Sequence, residues 1–228
     1  MGREPSFVLA VTGLRAEARI AERSEGVEAV SGGADSARLE KLITKAIEDG
    51  ADALISFGIA AGLAWNMDAG TCAVGRNVVH DGASYAADPV WSGHIKSVTG
   101  VAELVTIAGV DQPLRSQAEK TTLHDETGAA AGDMESHVVA RLAVKHELPF
   151  AVLRAVADPV NREIPEAALA GMSSDGSVNI GGVLVSIARE PSSLRALVRL
   201  AADTRLAMGT LFRCHDLLGS RLGYRDIG

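Results

Sequence analysis

The chain has 228 residues, 47% of them hydrophobic, which is enough to build one substantial core. Its formal net charge of −7 argues against nucleic acid as a partner, because proteins that bind phosphate backbones usually carry a basic face. The apolar runs are too short to span a bilayer, and the N-terminal segment lacks the order of a signal peptide. Only Cys72 and Cys214 occur, without metal or redox spacing, so we expect a reduced, cytoplasmic setting.

Strand and helix patterns alternate along almost the whole sequence, which is typical of an α/β domain. In the first half, the pattern predicts strands over 7–12, 27–31, 53–57 and 71–79, helices over 14–23 and 36–49, and a turn over 58–62. Residues 81–100 are polar and turn-rich. In the second half it predicts strands over 104–108, 129–131 and 150–156, and helices over 115–127, 135–148, 180–189 and 192–218. We find no repeat and no linker, so one domain is expected.

The segment from Gly132 to Pro159 carries the strongest functional signal in the sequence. Glu135 stands at the start of a predicted helix, and Asp158 follows a buried strand pattern. Taken singly, each has a structural alternative: Glu135 as an acid favoured by the helix dipole, and Asp158 as a turn acid before a proline. Taken together, they are expected to converge on one cleft at the carboxyl end of the sheet. There one carboxylate would bind hydroxyls and the other would transfer a proton.

The motifs Met134-Glu135 and Arg154-x-x-x-Asp158 resemble the signature of the nucleoside phosphorylase and nucleosidase family. That family includes purine nucleoside phosphorylases and methylthioadenosine/S-adenosylhomocysteine nucleosidases. The resemblance implies that Met134 and Glu135 bind the ribose and that Asp158 protonates the purine. We place Arg154 among the substrate-binding residues, as an internal partner that keeps an acid in a fixed orientation. It also implies one nucleoside phosphorylase-like α/β domain over residues 1–228, with a mixed sheet flanked by helices. The expected ligand is a small purine nucleoside, the expected assembly is a homo-oligomer such as a dimer, and no organic cofactor is needed.

Two further candidates follow the first predicted strand, in the segment that contains Gly13, Arg15 and Glu17. A guanidinium beside a helix N-terminus suits an anion, although a surface helix with alternating charges is the structural alternative. The segment is similar to the phosphate motif of the family's phosphorylases, which implies that Gly13 and Arg15 bind phosphate. Glu17 falls where the family's nucleosidases carry the Glu that activates water. We favour phosphorolysis, with inorganic phosphate as co-substrate, and keep hydrolysis as the alternative.

The predicted turn of small residues resembles the family's glycine-rich loop beneath the sugar. This implies that Gly58, Ala60, Ala61 and Gly62 contact the substrate, since small residues let the backbone approach it closely. Ile59 departs from the family pattern, in which Ser or Thr usually stands at this place. The departure removes a hydroxyl that would contact phosphate or ribose.

The residues that surround the purine are harder to read. Residues 108–114 occupy the place where the family presents backbone to the base, and here they offer Asp111 and Gln112. The six histidines show no metal-ligand spacing along the chain, so no metal site is predicted. His137 and His146 are expected to be solvated on the helix that follows the Met-Glu pair.

The C-terminal half narrows the expected substrate. It resembles the hopanoid-associated phosphorylase branch, which implies release of adenine from adenosylhopane in hopanoid biosynthesis. The alternative is a hydrolytic nucleosidase acting on methylthioadenosine or S-adenosylhomocysteine-like substrates. A nucleoside-binding protein without catalysis is disfavoured, because Glu135 and Asp158 are both present. A dinucleotide-dependent oxidoreductase is disfavoured, because the spaced glycine fingerprint after the first strand is missing.

Overall fold

The computed structural model describes residues 6–33, 35–100, 103–165, 168, 176–177 and 193–224. Within them, one mixed sheet contains the strands β1 (Phe7–Thr12), β2 (Val27–Ser31), β3 (Ala51–Gly62), β4 (Cys72–His80), β5 (Ala83–Ala86), β6 (Glu103–Gly109), β7 (Ala131–Asp133) and β8 (Phe150–Asp158). The α-helices are α1 (Arg15–Ala21), α2 (Ser36–Glu48), α3 (Pro89–Thr99), α4 (Gln117–Thr127), α5 (Ser136–Lys145) and α6 (Leu194–Leu218). In the described part of the chain, no helix is both long and apolar enough to cross a membrane.

Five of the strands close into a ring. β8 lies between β3, with which it runs parallel, and β4, with which it runs antiparallel. On the other side, β7 joins β3 to β6, and β6 pairs with β4. β1 and β2 extend the sheet from β3, and β5 pairs with β4. The closure removes free edges from the strands that carry the candidate site.

The register of β3 brings the two predicted carboxylates together. Ala61 is the partner of Gly132 in β7 and also of Asp158 in β8. β8 is buried along its whole length. Its nearly continuous apolar run is typical of a strand that is covered on both faces. The end of β3 therefore lies between two segments: the chain that leads from β7 to Glu135 on one side, and the end of β8 with Asp158 on the other.

Helices cover both faces of the sheet and form two apolar clusters. Residues of α3 and α6, such as Ile95 and Leu211, pack with β8 in one cluster. Residues of α2 and α5, such as Ile43 and Leu142, pack in the other. The predicted architecture, an α/β domain with a mixed sheet flanked by helices, is confirmed.

Two local predictions differ from the structure, and a third is not tested by it. Residues 58–62 continue β3 instead of turning, because β8 and β7 supply pairing partners up to Gly62. The polar segment 81–100 contains β5 and α3, whose start is fixed by Asp88, which accepts a hydrogen bond from the backbone N–H of Trp91. The helix predicted over 180–189 lies outside the described residues.

Candidate active site

A cavity of about 600 Å³ opens where β3, β7 and β8 end. Its wall is mostly apolar, and its acidic members are Glu17, Asp133, Glu135 and Asp158. The remaining lining residues are Gly13, Leu14, Gly33, Ile59, Ala60, Ala61, Val110, Pro113, Leu114, Gly132, Met134, Ala157, Ile164, Ala168, Ser177, Leu197, Leu200, Ala201, Thr204 and Arg205. An apolar pocket with a few convergent polar groups is the usual form of a small-molecule site.

A fully buried guanidinium organises the floor of the cavity. Arg154 Nε lies 3.0 Å from Asp133 Oδ2, and its Nη2 lies 3.2 Å from Glu135 Oε2. Nη1 donates to the carbonyl oxygen of Ile59 at 3.2 Å, and Nη2 also donates to the hydroxyl of Ser56. Arg154 is absent from the cavity wall, so its role here is to hold two carboxylates in fixed orientations from behind.

Asp133 links this ion cluster to helix α5. Its Oδ1 accepts hydrogen bonds from the backbone N–H groups of Glu135 and Ser136, at 2.9 and 2.7 Å. Its Oδ2 accepts from the hydroxyl of Ser136 at 2.6 Å. A side-chain acceptor for backbone N–H groups at a helix start is the usual capping device. Asp133 therefore fixes the backbone from which Glu135 enters the cavity.

Glu17 reaches the same cavity from the start of α1. Its Oε2 accepts from the backbone N–H groups of Gly13 and Leu14 at 3.0 and 2.7 Å, and its Oε1 accepts from that of Ile59 at 2.8 Å. Gly58 permits this approach, because a Cβ there would lie 2.8 Å from both Glu17 Cδ and Arg154 Nη1. Gly13 serves in the same way, since its Cβ would lie 2.8 Å from Glu135 Oε1.

The cluster holds more acids than bases. Three buried carboxyl groups, from Glu17, Asp133 and Glu135, surround the single guanidinium of Arg154. Burial raises the pKa of Glu135, Arg154 opposes the shift, and the neighbouring Asp133 and Glu17 add to it. Burial also raises the pKa of Glu17, against the opposing effect of Arg154. Carboxyl groups with raised pKa values in a cleft are typical of acid–base sites.

Asp158, at the end of β8, is paired with a second buried cation. Lys120 Nζ, on α4, lies 2.7 Å from Asp158 Oδ2. The same ammonium donates to the carbonyl oxygens of Asp158, Pro159 and Arg162, at 3.1, 3.1 and 2.8 Å. Burial raises the pKa of Asp158 to about 6, against the opposing effect of Lys120. A carboxyl group of this pKa exchanges protons readily near neutral pH.

The structure brings most of the predicted site residues to the cavity wall: Gly13, Glu17, Ala60, Ala61, Met134, Glu135 and Asp158. Gly58 and Arg154 lie directly behind that wall, and Gly62 packs against Met67 and Val156. The side chain of Arg15 is exposed and does not line the cavity, although its backbone N–H donates to the carbonyl oxygen of Gly176 at 3.1 Å.

Several residues of the site were not found from the sequence. Asp133 had a detectable signal, since an Asp just before a helix start is a capping pattern. Lys120 had none, because a lysine in a polar helix normally points to solvent. The prediction that His137 is solvated is wrong: its exposed fraction is 5%, because α5 packs it against Gly109. In the predicted base segment, Val110, Pro113 and Leu114 line the cavity, whereas Asp111 is exposed.

The fold is shared with solved nucleosidase structures. Futalosine hydrolase of Helicobacter pylori strain 26695 superposes with a TM-score of 0.66 and 16% identity, over 94% of this chain and 99% of that one. A methylthioadenosine/S-adenosylhomocysteine nucleosidase of Helicobacter pylori gives 0.62 and 17%, over 93% and 98%. The corresponding nucleosidase of S. pneumoniae, solved with a transition-state inhibitor, gives 0.63 and 15%, over 92% and 99%.

Sequence comparison assigns the family. Among curated proteins, no sequence matches this chain significantly. The family model of the phosphorylase superfamily, in contrast, matches residues 29–174, which include β3, β4, β6, β7 and β8. These strands carry Glu135, Arg154 and Asp158 or lead directly into them. Because the match covers more than half of its length, the chain belongs to the phosphorylase superfamily.

Proposed function

We propose that this protein is an enzyme that cleaves the N-glycosidic bond of a purine nucleoside and releases adenine. The observation that carries the proposal is the convergence of Glu135 and Asp158 on one cavity, each held by its own buried cation. The family assignment and the nucleosidase fold support the same reaction class. No organic cofactor is required, because acid–base groups and a nucleophile are sufficient for this cleavage.

Asp158 is the proton donor in this mechanism. Protonation of the purine makes it a better leaving group, so the bond to the sugar breaks with the electron pair moving to the base. The sugar then becomes cation-like at its anomeric carbon. Glu135 lines the same cavity as Asp158. Its carboxylate would accept hydrogen bonds from the ribose hydroxyls, and its negative charge would stabilise the developing cation.

Water activated by Glu17 is the nucleophile that the geometry supports best. Glu17 lines the cavity, is held by three backbone N–H groups, and has a raised pKa, which makes its carboxylate a stronger base. The alternative is phosphorolysis, which the sequence pattern of Gly13 and Arg15 favours. Gly13 does line the cavity, but the exposed side chain of Arg15 would have to turn inwards to meet a phosphate.

The sugar product distinguishes the two nucleophiles. We expect free ribose from an adenosine-type substrate at the same rate with and without phosphate. Glu17→Gln should lower that rate at least about 100-fold, the usual scale for a lost general base. Arg15→Ala should change it no more than Arg19→Ala, a matched change at another exposed arginine of α1. Formation of ribose 1-phosphate only with added phosphate would instead establish phosphorolysis, and no base release at all would reject the proposed function.

The substrate that we propose carries a large apolar group on its ribose, as adenosylhopane does. The resemblance of the C-terminal half to the hopanoid-associated branch supports this choice. The apolar wall formed by Leu197, Leu200 and Ala201 of α6 supports it too, because a hydrocarbon group is stabilised when it is buried against such a wall. Adenine release should be faster with adenosylhopane than with methylthioadenosine at equal concentration. The opposite order would favour a nucleosidase for small thioether substrates.

A further inference from the structure

Three side chains that are common metal ligands meet beside the cavity. They are His80 at the end of β4, Asp111 after β6, and His137 in α5, and one ligand atom of each lies within 4.8 Å of the others. His137 Nε2 lies 3.3 Å from Asp111 Oδ1. The two imidazole rings stack with their centroids 4.2 Å apart. None of the three is among the described residues that line the cavity, so the cluster is separate from the proposed chemistry.

The hydrogen bonding of His80 prepares it as a ligand. Its Nδ1 lies 3.0 Å from the carbonyl oxygen of Gly109, which can only accept, so Nδ1 carries a proton. In the neutral ring, Nε2 then keeps its lone pair. A histidine that donates one N–H to a backbone carbonyl and binds a metal with the other nitrogen is the common arrangement at metal sites. The free Nε2 faces Asp81 Oδ2 at 3.5 Å, so two acceptors face each other and a cation between them would satisfy both.

His137 adds a buried ligand on the other side. A Cβ at position 109 would collide with its side chain, so Gly109 is what allows the ring to pack here. In the described structure, its Nδ1 is buried without a hydrogen-bond partner.

We propose that His80, His137 and Asp111 bind a divalent transition-metal ion of the zinc type, with Asp81 as a candidate fourth ligand. Two imidazoles and carboxylates are a donor set that zinc accepts. Tetrahedral ligands at about 2.0–2.1 Å from zinc lie roughly 3.4 Å apart, so separations of up to 4.8 Å must close by up to roughly 1.4 Å. Asp111 Oδ1 and His137 Nε2 are already 3.3 Å apart, so the closure involves His80.

The bound ion would stiffen one wall of the cavity. Asp111 follows Val110, which lines the cavity, and His137 is two residues beyond Glu135. A metal shared by these residues would tie the loop after β6 to the start of α5. The absence of metal spacing along the chain does not conflict with this site, because its ligands come from three separate elements.

The test is zinc binding by the metal-stripped protein, measured by titration calorimetry without any substrate. We expect one equivalent of Zn²⁺ to bind, and His80→Ala and Asp111→Asn each to weaken the Kd at least about tenfold. His94→Ala, which removes a histidine of α3 that is not part of the cluster, should bind as the wild type does. Zn²⁺ should also raise the Tm of the wild type and of the control variant, and it should raise the Tm of the other two variants by less.

Two results would overturn the proposal. One is no binding of Zn²⁺ by the folded wild-type protein. The other is equal affinity in the wild type, His80→Ala and Asp111→Asn, which would place any bound zinc elsewhere. If the variants lose thermal stability but the wild type takes up no zinc, the cluster is a set of hydrogen-bonded ion pairs. Because the readouts need no turnover, they stay separate from the test of glycosidic cleavage.

Discussion

Replacement of Lys120 by Met should raise the pKa of Asp158 and move the pH dependence of purine release to higher pH. The ammonium of Lys120 is fully buried and lies 2.7 Å from Asp158 Oδ2. It also donates hydrogen bonds to three backbone carbonyl oxygens, which hold it in place beside the carboxyl group. The methionine side chain keeps most of the volume of lysine and removes the charge, so the change isolates the electrostatic effect on the carboxyl group.

The size of the effect follows from the two opposing influences on Asp158. Burial raises its pKa from 3.8 to about 6, even with Lys120 holding it down. An opposite charge at such a distance lowers the pKa of an acid by about 1–3 units. Without the ammonium, the pKa should therefore reach roughly 7–9, which corresponds to a change of about 1.4 kcal/mol for each unit. The protonated acid would be more abundant at pH 7 but intrinsically weaker.

The assay is kcat/KM for adenine release as a function of pH, since its alkaline limb reports the acid of the free enzyme. In the wild type the limb should lie near pH 6 and in Lys120→Met at least one unit higher, with a lower maximal rate. Lys96→Met, at an exposed lysine of α3, is the matched control and should leave the limb in place. NMR titration of the Asp158 carboxyl carbon gives the same pKa without turnover. A folded Lys120→Met protein whose limb and carboxyl titration match the wild type would refute the reasoning.

Further predictions concern the acids and glycines of the site. Asp158→Asn should lower adenine release by about two to four orders of magnitude with an unchanged circular dichroism spectrum; near-normal turnover would remove Asp158 from the role of proton donor. Gly58→Ala should nearly abolish activity, because its Cβ would lie 2.8 Å from the Glu17 carboxyl carbon. Gly93→Ala is the control, since a Cβ there would meet no atom within 4 Å. It should retain activity and gain up to about 1 kcal/mol of stability. The Tm of the wild type should fall as the pH rises from 4.5 towards 8, because burial raises the pKa of Glu135 to about 8 and the folded state therefore binds a proton that the unfolded state releases. In Glu135→Gln this fall should be smaller, and an unchanged slope would show that Glu135 is ionised when folded.

The sequence predicted the fold and the two central carboxylates because both depend on local signals. The apolar run of β8 identifies a buried strand wherever it is placed, and Asp158 at its end must lie at the carboxyl end of that strand, where α/β sheets bind their ligands. Likewise, Glu135 precedes a clear amphipathic pattern, which fixes it at a helix start. These inferences needed only the order of elements along the chain.

The remaining features depend on the closure of five strands into a ring. The small residues after position 57 look like a turn in the sequence, and they continue β3 only because β7 and β8 pair with its end. Lys120 meets Asp158, and His80 meets His137, through contacts between elements that are distant along the chain. No periodicity within one helix or strand reports such contacts, so they became visible only in three dimensions.

The charge balance of the site connects these features to the proposed reaction. If Glu17, Asp133 and Glu135 were all ionised, the single guanidinium of Arg154 would leave two negative charges uncompensated in a buried cavity. Proton uptake relieves this cost, which is why burial raises the pKa values of Glu17 and Glu135. A ribosyl cation would relieve it too, because positive charge would then develop next to the acids. The cluster thus favours the cation-like state over the neutral nucleoside, and this differential stabilisation is what lowers a reaction barrier.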